Sequence, residues 1–145
     1  MNFRDYLTVA RTLAGGTTEA EWRSASSRAY YAAFHVARLL LLDLRFRVPQ
    51  ADRAHAYLWL RLSNAGHAGT MKEGRRLGQL RRERNWADYD DHRTITQATA
   101  IQNVREAEKI IQALDAAAVE PVRTQITDAM KIYERDVLRD VTWHP

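Results

Sequence analysis

The feature that most constrains this chain is a long segment without a helix breaker, from Thr18 to about Leu44. Thr18 and Glu21, three residues apart, form a capping-box pattern that predicts a helix beginning there. The apolar positions repeat with a helical period, and many are alanine, so a neighbouring helix can approach closely. They are Trp22, Ala25, Ala29, Ala32, Val36, Leu39 and Leu40.

Helical spacing continues along the rest of the chain, where proline and glycine are sparse. A first helix is predicted over Phe3–Leu13, ended by Gly15 and Gly16. The later helices are expected at 51–62, at 70–88, after a cap at Thr94 or Thr96, and from Pro121 to about 139. No strand-like alternation and no internal repeat is visible. The sequence therefore predicts an all-α antiparallel bundle of five to six helices over 1–118, with a C-terminal helical extension over 119–145.

Composition supports one globular domain, with 145 residues, 46% hydrophobic and 28% charged. There is no cysteine, which excludes disulfides, thiol nucleophiles and thiolate metal sites and fits a reducing cytosol. The longest apolar stretch, 36–44, is interrupted by Arg38 and Asp43 and is shorter than the roughly 20 residues that span a bilayer. The first residues, Met1–Asp5, include an acid and precede no apolar run, unlike a signal peptide. We expect a soluble, cytoplasmic protein.

Positive charge is concentrated between Lys72 and Arg84, with six basic residues against two acidic ones. On the expected helix Lys72, Arg75 and Arg82 cluster on one side, so they are a candidate RNA-binding stripe. A solvated helix surface would show the same pattern.

A second candidate site follows from the inward positions of the same helix, Leu77 and Leu80. Continuing at helical spacing leads to Arg84 and Asp88, where apolar residues should follow. A guanidinium in this position is either half of a structural ion pair with Asp88 or an arginine that faces a phosphate in a groove.

Helix two carries a polar and aromatic group: Ser27, Arg28, Tyr30, Tyr31 and His35. Tyr31 and His35 share a face because they are four residues apart. These side chains either pack in the core or orient Arg84 or a phosphate. In the second case we expect Arg84 and Asp88 to face a cleft with Tyr31 or His35 nearby. The five histidines form no metal-binding pattern, and no glycine-rich phosphate loop is present, so neither a metal nor a cofactor is expected.

Two stretches carry a resemblance to a known family, the HEPN (higher eukaryotes and prokaryotes nucleotide-binding) domains. Residues 27–40 resemble the long second HEPN helix, and the Arg84–Asp90 stretch resembles the polar motif at the end of a later helix. The resemblance covers about residues 1–114. It implies an antiparallel bundle that usually dimerises, with the polar motifs of two subunits meeting in a cleft.

The resemblance also implies an activity, because active HEPN members are metal-independent ribonucleases, often toxins paired with a small nucleotidyltransferase antitoxin. It assigns catalytic roles to Arg84, Asn85, Asp88 and Tyr89, and supporting roles to Arg28, Tyr30, Tyr31 and His35. The family signature has arginine, four to six residues, then histidine. Here seven residues separate Arg84 from His92, and Tyr89 stands where histidine could. A tyrosine hydroxyl titrates near pH 10, so it is a poorer general base than imidazole.

Three hypotheses follow. The first is an RNA-directed HEPN protein of a toxin–antitoxin or defence module, with weak endoribonuclease activity or none. The second is a non-catalytic HEPN interaction module that binds a nucleotidyltransferase partner or a nucleotide. The third is a helical scaffold without either activity. A homodimer is expected in addition, because helix two offers more apolar surface than one small bundle easily covers.

Overall fold

A computed structural model describes all 145 residues and contains six α-helices. They are α1 (Asp5–Ala14), α2 (Glu19–Asp43), α3 (Arg53–Leu62), α4 (Ala68–Tyr89), α5 (Gln97–Ala117) and α6 (Val122–Tyr133). A π-helical turn, Glu134–Leu138, continues α6, and the only β-type pairing is an isolated bridge between Phe46 and Trp143. The predicted all-α class is confirmed. None of the helices is both long and apolar enough to cross a membrane.

Helix α2 lies at the centre of the bundle and contacts α1, α3, α4 and α5. Its capping box forms as predicted, because the Thr18 hydroxyl accepts from the Glu21 backbone N–H at 3.2 Å and the Glu21 carboxylate accepts from the Thr18 N–H at 3.2 Å. Five of its alanines are completely buried, Ala25 among them, which lets the neighbouring helices approach closely on several sides. The other four are Ala29, Ala32, Ala33 and Ala37.

The cap of α5 agrees with the sequence, whereas the start of α4 differs from the expected one. Thr96, one of the two predicted candidates, caps α5 by accepting from the Thr99 backbone N–H. Helix α4 begins before the expected Thr70, because the ring nitrogen of His67 accepts from the Thr70 backbone N–H at 3.3 Å. Histidine is outside the usual set of capping residues, which is why the sequence pattern missed this start.

Helices α3 and α4 run antiparallel and very close together. A Cβ on Gly74 would lie 2.6 Å from the backbone nitrogen of Ser63, and one on Gly78 would lie 3.3 Å from the indole of Trp59. Only glycine permits this approach at residue 74, because the nearest atoms belong to backbone that cannot move aside. The pairing places the beginning of α3 beside the end of α4.

The C-terminal segment packs back on its own chain. Ile126 and Met130 of α6 are completely buried in the same hydrophobic core as the residues of α1–α5. Glu134 is also completely buried and forms an ion pair of 2.8 Å with Arg61 of α3, whose side chain is 4% exposed. The segment after residue 118 therefore contributes to the core and brings a buried carboxylate into it.

Candidate functional site

A polar cluster lies where the end of α4 packs on α2. The Arg84 Nε lies 2.8 Å from the Asp88 carboxylate, and the Arg84 Nη1 donates to the Asn85 side-chain oxygen at 2.9 Å. The Ser27 hydroxyl of α2 donates to the same carboxylate at 3.1 Å. The Arg84 side chain is only 13% exposed. The structural ion pair considered from the sequence is thus present, and the residues around it form a half-buried site.

Tyrosine rings surround the Arg84 guanidinium. Its central carbon lies 4.9 Å from the centroid of the Tyr31 ring and 5.4 Å from that of Tyr89. Arg28 also lies over Tyr31, at 5.5 Å, so this ring contacts two cations. The expected proximity of Arg84 to Tyr31 is confirmed. Tyr89 is 74% exposed, so its hydroxyl stands at the surface of the cluster.

His35 and His92, the two histidines considered from the sequence, lie in different surroundings. His35 stacks on Phe3, which precedes α1, with ring centroids 3.6 Å apart, and its pKa is lowered by burial and by nearby Arg38. His92 follows α4 on a turn, with a side chain that is 96% exposed and contacts only Asp91. Neither contacts Arg84 in this structure, although the sequence placed His35 near it as an alternative to Tyr31.

His55 of α3 is a site residue that the sequence reasoning missed. It is buried, and its Nδ1 lies 2.5 Å from the Tyr30 hydroxyl. Burial, followed by the charges of Arg81 and Arg84, lowers the pKa of His55 to about 4. Burial raises the pKa of Tyr30, against the opposing effect of the same arginines, so its hydroxyl stays protonated. The only signal in the sequence was that His55 continues the apolar face of Leu58 and Leu62.

A basic cavity of about 390 Å³ lies beside the cluster, between α3 and α4, and we call it the arginine groove. It is lined by Trp59, Arg75, Gly78, Gln79, Arg81, Arg82 and Asn85. Its three arginines form no ion pair, whereas Arg76 of the same helix pairs with Glu73 and Glu106. Asn85 also accepts a hydrogen bond from Arg84, so the arginine groove and the polar cluster are continuous.

The groove differs from the stripe expected from helical phase alone. Arg75 and Arg82 line it together as expected, but Lys72 lies in a neighbouring pocket with Arg75 and Arg76. Arg81, which the phase placed on another side, joins the groove. A long arginine side chain reaches round its helix, and α3 supplies the second wall, so the phase of one helix could not show this set.

Acidic and histidine side chains do not gather anywhere in groups of three or more that could hold a metal ion. The groups available for chemistry are therefore guanidinium, carboxylate, hydroxyl and imidazole. They come from three helices, with Ser27, Tyr30 and Tyr31 on α2, His55 on α3, and the arginines and Asp88 on α4.

Comparison with known proteins adds one match. The family model for the HEPN domain matches residues 5–117, which coincide with the span from α1 to α5. Neither the curated proteins nor the solved structures contain a match. The match covers well over half of the chain, includes both stretches that carried the resemblance, and agrees with the helical architecture. The chain belongs to the HEPN domain family.

Proposed function

We propose that this HEPN protein is an RNA-directed member of a toxin–antitoxin or defence module that acts as a homodimer in the cytoplasm and cleaves RNA weakly without a metal. The observation that supports RNA as the target is the arginine groove. Arg75, Arg81 and Arg82 face one cavity without any carboxylate partner. Guanidinium groups in such an arrangement suit the oxygen atoms of a phosphate backbone.

The pairing of the other α4 arginines makes this argument specific. Arg76 forms ion pairs with Glu106 and Glu73, and Arg84 forms an ion pair with Asp88 and donates to Asn85. Apart from Lys72, the basic side chains of α4 that have no ion pair therefore all line the groove. Asn85 lines the groove and also contacts Arg84, so an RNA strand lying in the groove would come close to Arg84.

The polar cluster supports cleavage less strongly than the groove supports binding. The Arg84 guanidinium is held in place by Asp88 and can stabilise charge on a phosphate that approaches it. Tyr89 stands where the family signature could have its histidine, and His92 points to solvent. A low cleavage rate is the expected result if these residues alone carry the chemistry.

One observation favours a second candidate, a non-catalytic HEPN module that binds a nucleotidyltransferase partner or a nucleotide. Arg84 already has two partners at rest, as a structural ion pair would. Tyr89, 74% exposed beside it, is the kind of aromatic group that a protein partner would cover.

RNA binding is tested by a salt titration of the R75A/R82A variant with a single-stranded RNA. The matched control is R47A/R105A, which removes two exposed arginines outside the groove that also lack ion pairs. Arg81 is left intact because its Nε is buried. We expect weaker binding and a salt slope lower by about 1.4 for the groove variant only, since each phosphate contact on a single strand contributes about 0.7. Equal affinity and equal slopes for both variants would contradict the proposal.

Cleavage is tested separately, with purified protein, EDTA and the R84A variant. We expect slow cleavage by the parent protein that EDTA leaves unchanged and R84A abolishes, while RNA binding falls much less. A parent protein that binds a nucleotidyltransferase or ATP but not RNA would support the second candidate instead.

A further inference from the structure

His55 occupies a position in the fold that the polar cluster leaves unexplained. Because α3 and α4 are antiparallel and in contact at Trp59 and Gly78, four residues back along α3 lead to the level of Arg81 on α4. His55 therefore lies where α2, α3 and α4 meet. Phe34 packs on one side of the ring, with centroids 4.8 Å apart, and Tyr30 lies beside it at 5.6 Å. The imidazole is held in one orientation by these contacts.

The hydrogen bond to Tyr30 leaves the second ring nitrogen of His55 free. Nδ1 lies 2.5 Å from the Tyr30 hydroxyl, whereas Nε2 has no partner within the protein. His55 also borders a cavity of about 540 Å³, together with Tyr31, His35, Arg38 and Asp52. A rigid, oriented imidazole with one unused nitrogen beside a cavity has the geometry of a proton acceptor.

Two guanidinium groups next to this histidine have a buried nitrogen without a hydrogen bond. They are the Nε atoms of Arg81 and Arg84. The Arg84 Nε lies 2.8 Å from the Asp88 carboxylate, but its N–H does not point at the carboxylate, so no hydrogen bond forms. A buried donor without an acceptor is costly, so each of these side chains keeps a donor that an anion would satisfy. A phosphate oxygen has the charge and the size that these donors require.

We infer that His55 is a catalytic residue of this site, which accepts a proton from RNA whose phosphate is held by Arg81 and Arg84, with Tyr30 as its positioning residue. This inference rests on the proposed function. The Nδ1–H donates to Tyr30, and Nε2 takes the proton of a ribose 2′-hydroxyl. The 2′-oxygen forms its bond to phosphorus while the bond from phosphorus to the 5′-oxygen breaks. The leaving 5′-oxygen takes a proton from water, and the imidazolium later returns its proton to solvent.

Bound phosphate should change the basicity of His55. The charged and titratable groups that surround it are Tyr30, Tyr31, His35 and Arg38 of α2, Asp52 before α3, and Arg81 and Arg84 of α4. In the free protein burial and the two arginines of α4 keep the pKa of His55 at about 4. A phosphate between those arginines offsets their charge, so the pKa rises in the complex. The rate then increases with pH as His55 loses its proton. Because kcat reports the complex and kcat/KM the free protein, the increase occurs at higher pH in kcat than in kcat/KM.

The test compares single-turnover cleavage by the H55Q and H92Q variants of the full chain. His92 is exposed and outside the cluster, so H92Q is a matched control. We expect H55Q to lose about 100-fold or more in rate with little change in RNA affinity, the range usual for a general base, and H92Q to keep full activity. Free imidazole should partly restore an H55A variant, and Y30F should lower kcat without changing KM. Circular dichroism shows whether each variant is folded.

A second readout does not depend on turnover. In protein with ¹⁵N-labelled histidine, a 2′-O-methyl RNA that cannot be cleaved should shift the ring-nitrogen resonances of His55 but not those of His92. If the parent cleaves RNA and H55Q cleaves it equally well, the inference is overturned and the proposed function stands. If RNA binds without any change at His55, the inference is again overturned. A parent protein that neither binds nor cleaves RNA overturns both.

Discussion

Replacing Glu134 by glutamine should destabilise the whole domain. Its carboxylate is completely buried and contacts the Arg61 guanidinium at 2.8 Å. It also accepts from the backbone N–H groups of Thr142 and Trp143, at 2.9 and 3.1 Å, and from the Thr142 hydroxyl. Glutamine keeps the size and an acceptor oxygen, but it removes the charge and leaves a buried guanidinium without its partner.

The magnitude follows from that unpaired charge. Breaking a buried ion pair on one side costs about 3–5 kcal/mol, and the retained acceptor of glutamine places E134Q near the lower value. For a chain of this size about 3 kcal/mol corresponds to a fall of about 10 °C in Tm. Adding Arg61→Met should recover a large part of the loss, because the buried charge is then gone and Met can pack over Tyr57 as Arg61 does.

Urea unfolding followed by circular dichroism measures these free energies. A loss below about 1 kcal/mol for E134Q, or a double variant less stable than E134Q, would refute the reasoning from an unpaired charge. The pH dependence provides a further check. Burial alone would raise the pKa of Glu134, but the hydrogen bonds from Thr142, Arg61 and Trp143 lower it overall. Its contribution to stability is therefore present above the unfolded pKa of about 4.5 and is lost as the pH falls through the lower folded value.

Three further effects can be measured in the same way. Gly74→Ala should cost about 1–3 kcal/mol in the free energy of unfolding, because the new Cβ meets the Ser63 backbone, whereas Gly15→Ala, with only ordinary contacts, should cost far less; equal losses would rule out the steric explanation. Thr18→Ala should cost about 1 kcal/mol through loss of the capping box, and an unchanged urea midpoint would show that the cap is dispensable. Between pH 6.5 and 4 the free energy of unfolding of the parent should fall by up to about 3 kcal/mol, because His55 binds a proton in the unfolded chain but not in the folded one. H55Q should show a smaller fall, and identical pH curves for the two proteins would contradict the lowered pKa.

The parts of the fold that follow from local spacing could be predicted from the sequence. The extent of α2, its capping box and its alanine-lined contacts depend on residues within a few positions of one another. The proximity of Arg84 to Tyr31 followed in part: the helical phase of α4 turned Arg84 inward, and Tyr31 was one of two alternatives, with His35, on the same face of α2. Periodicity of this kind needs no knowledge of the partner helix.

The rest depended on which helices meet. His55 shows no motif, and its importance arises only when α3 packs between Tyr30 and the arginines of α4. Arg61 and Glu134 are 73 residues apart, so no local sequence pattern indicates their pairing. Arg81 enters the arginine groove because α3 supplies the opposite wall. Each of these is a long-range juxtaposition, which spacing along one chain segment cannot reveal.

The central position of α2 has a consequence for how the native state opens. Its buried alanines are covered by α1, α3, α4 and α5. If α2 left its position, the core-facing side of each of these helices would be exposed to solvent. Amide protons in the middle of α2, around Ala29 to Ala33, should therefore exchange with deuterium only through global unfolding. The shorter α1, which rests on one side of the bundle and is anchored by the exposed pairs of Arg4 with Asp115 and Arg11 with Glu108, can detach locally and exchange much faster.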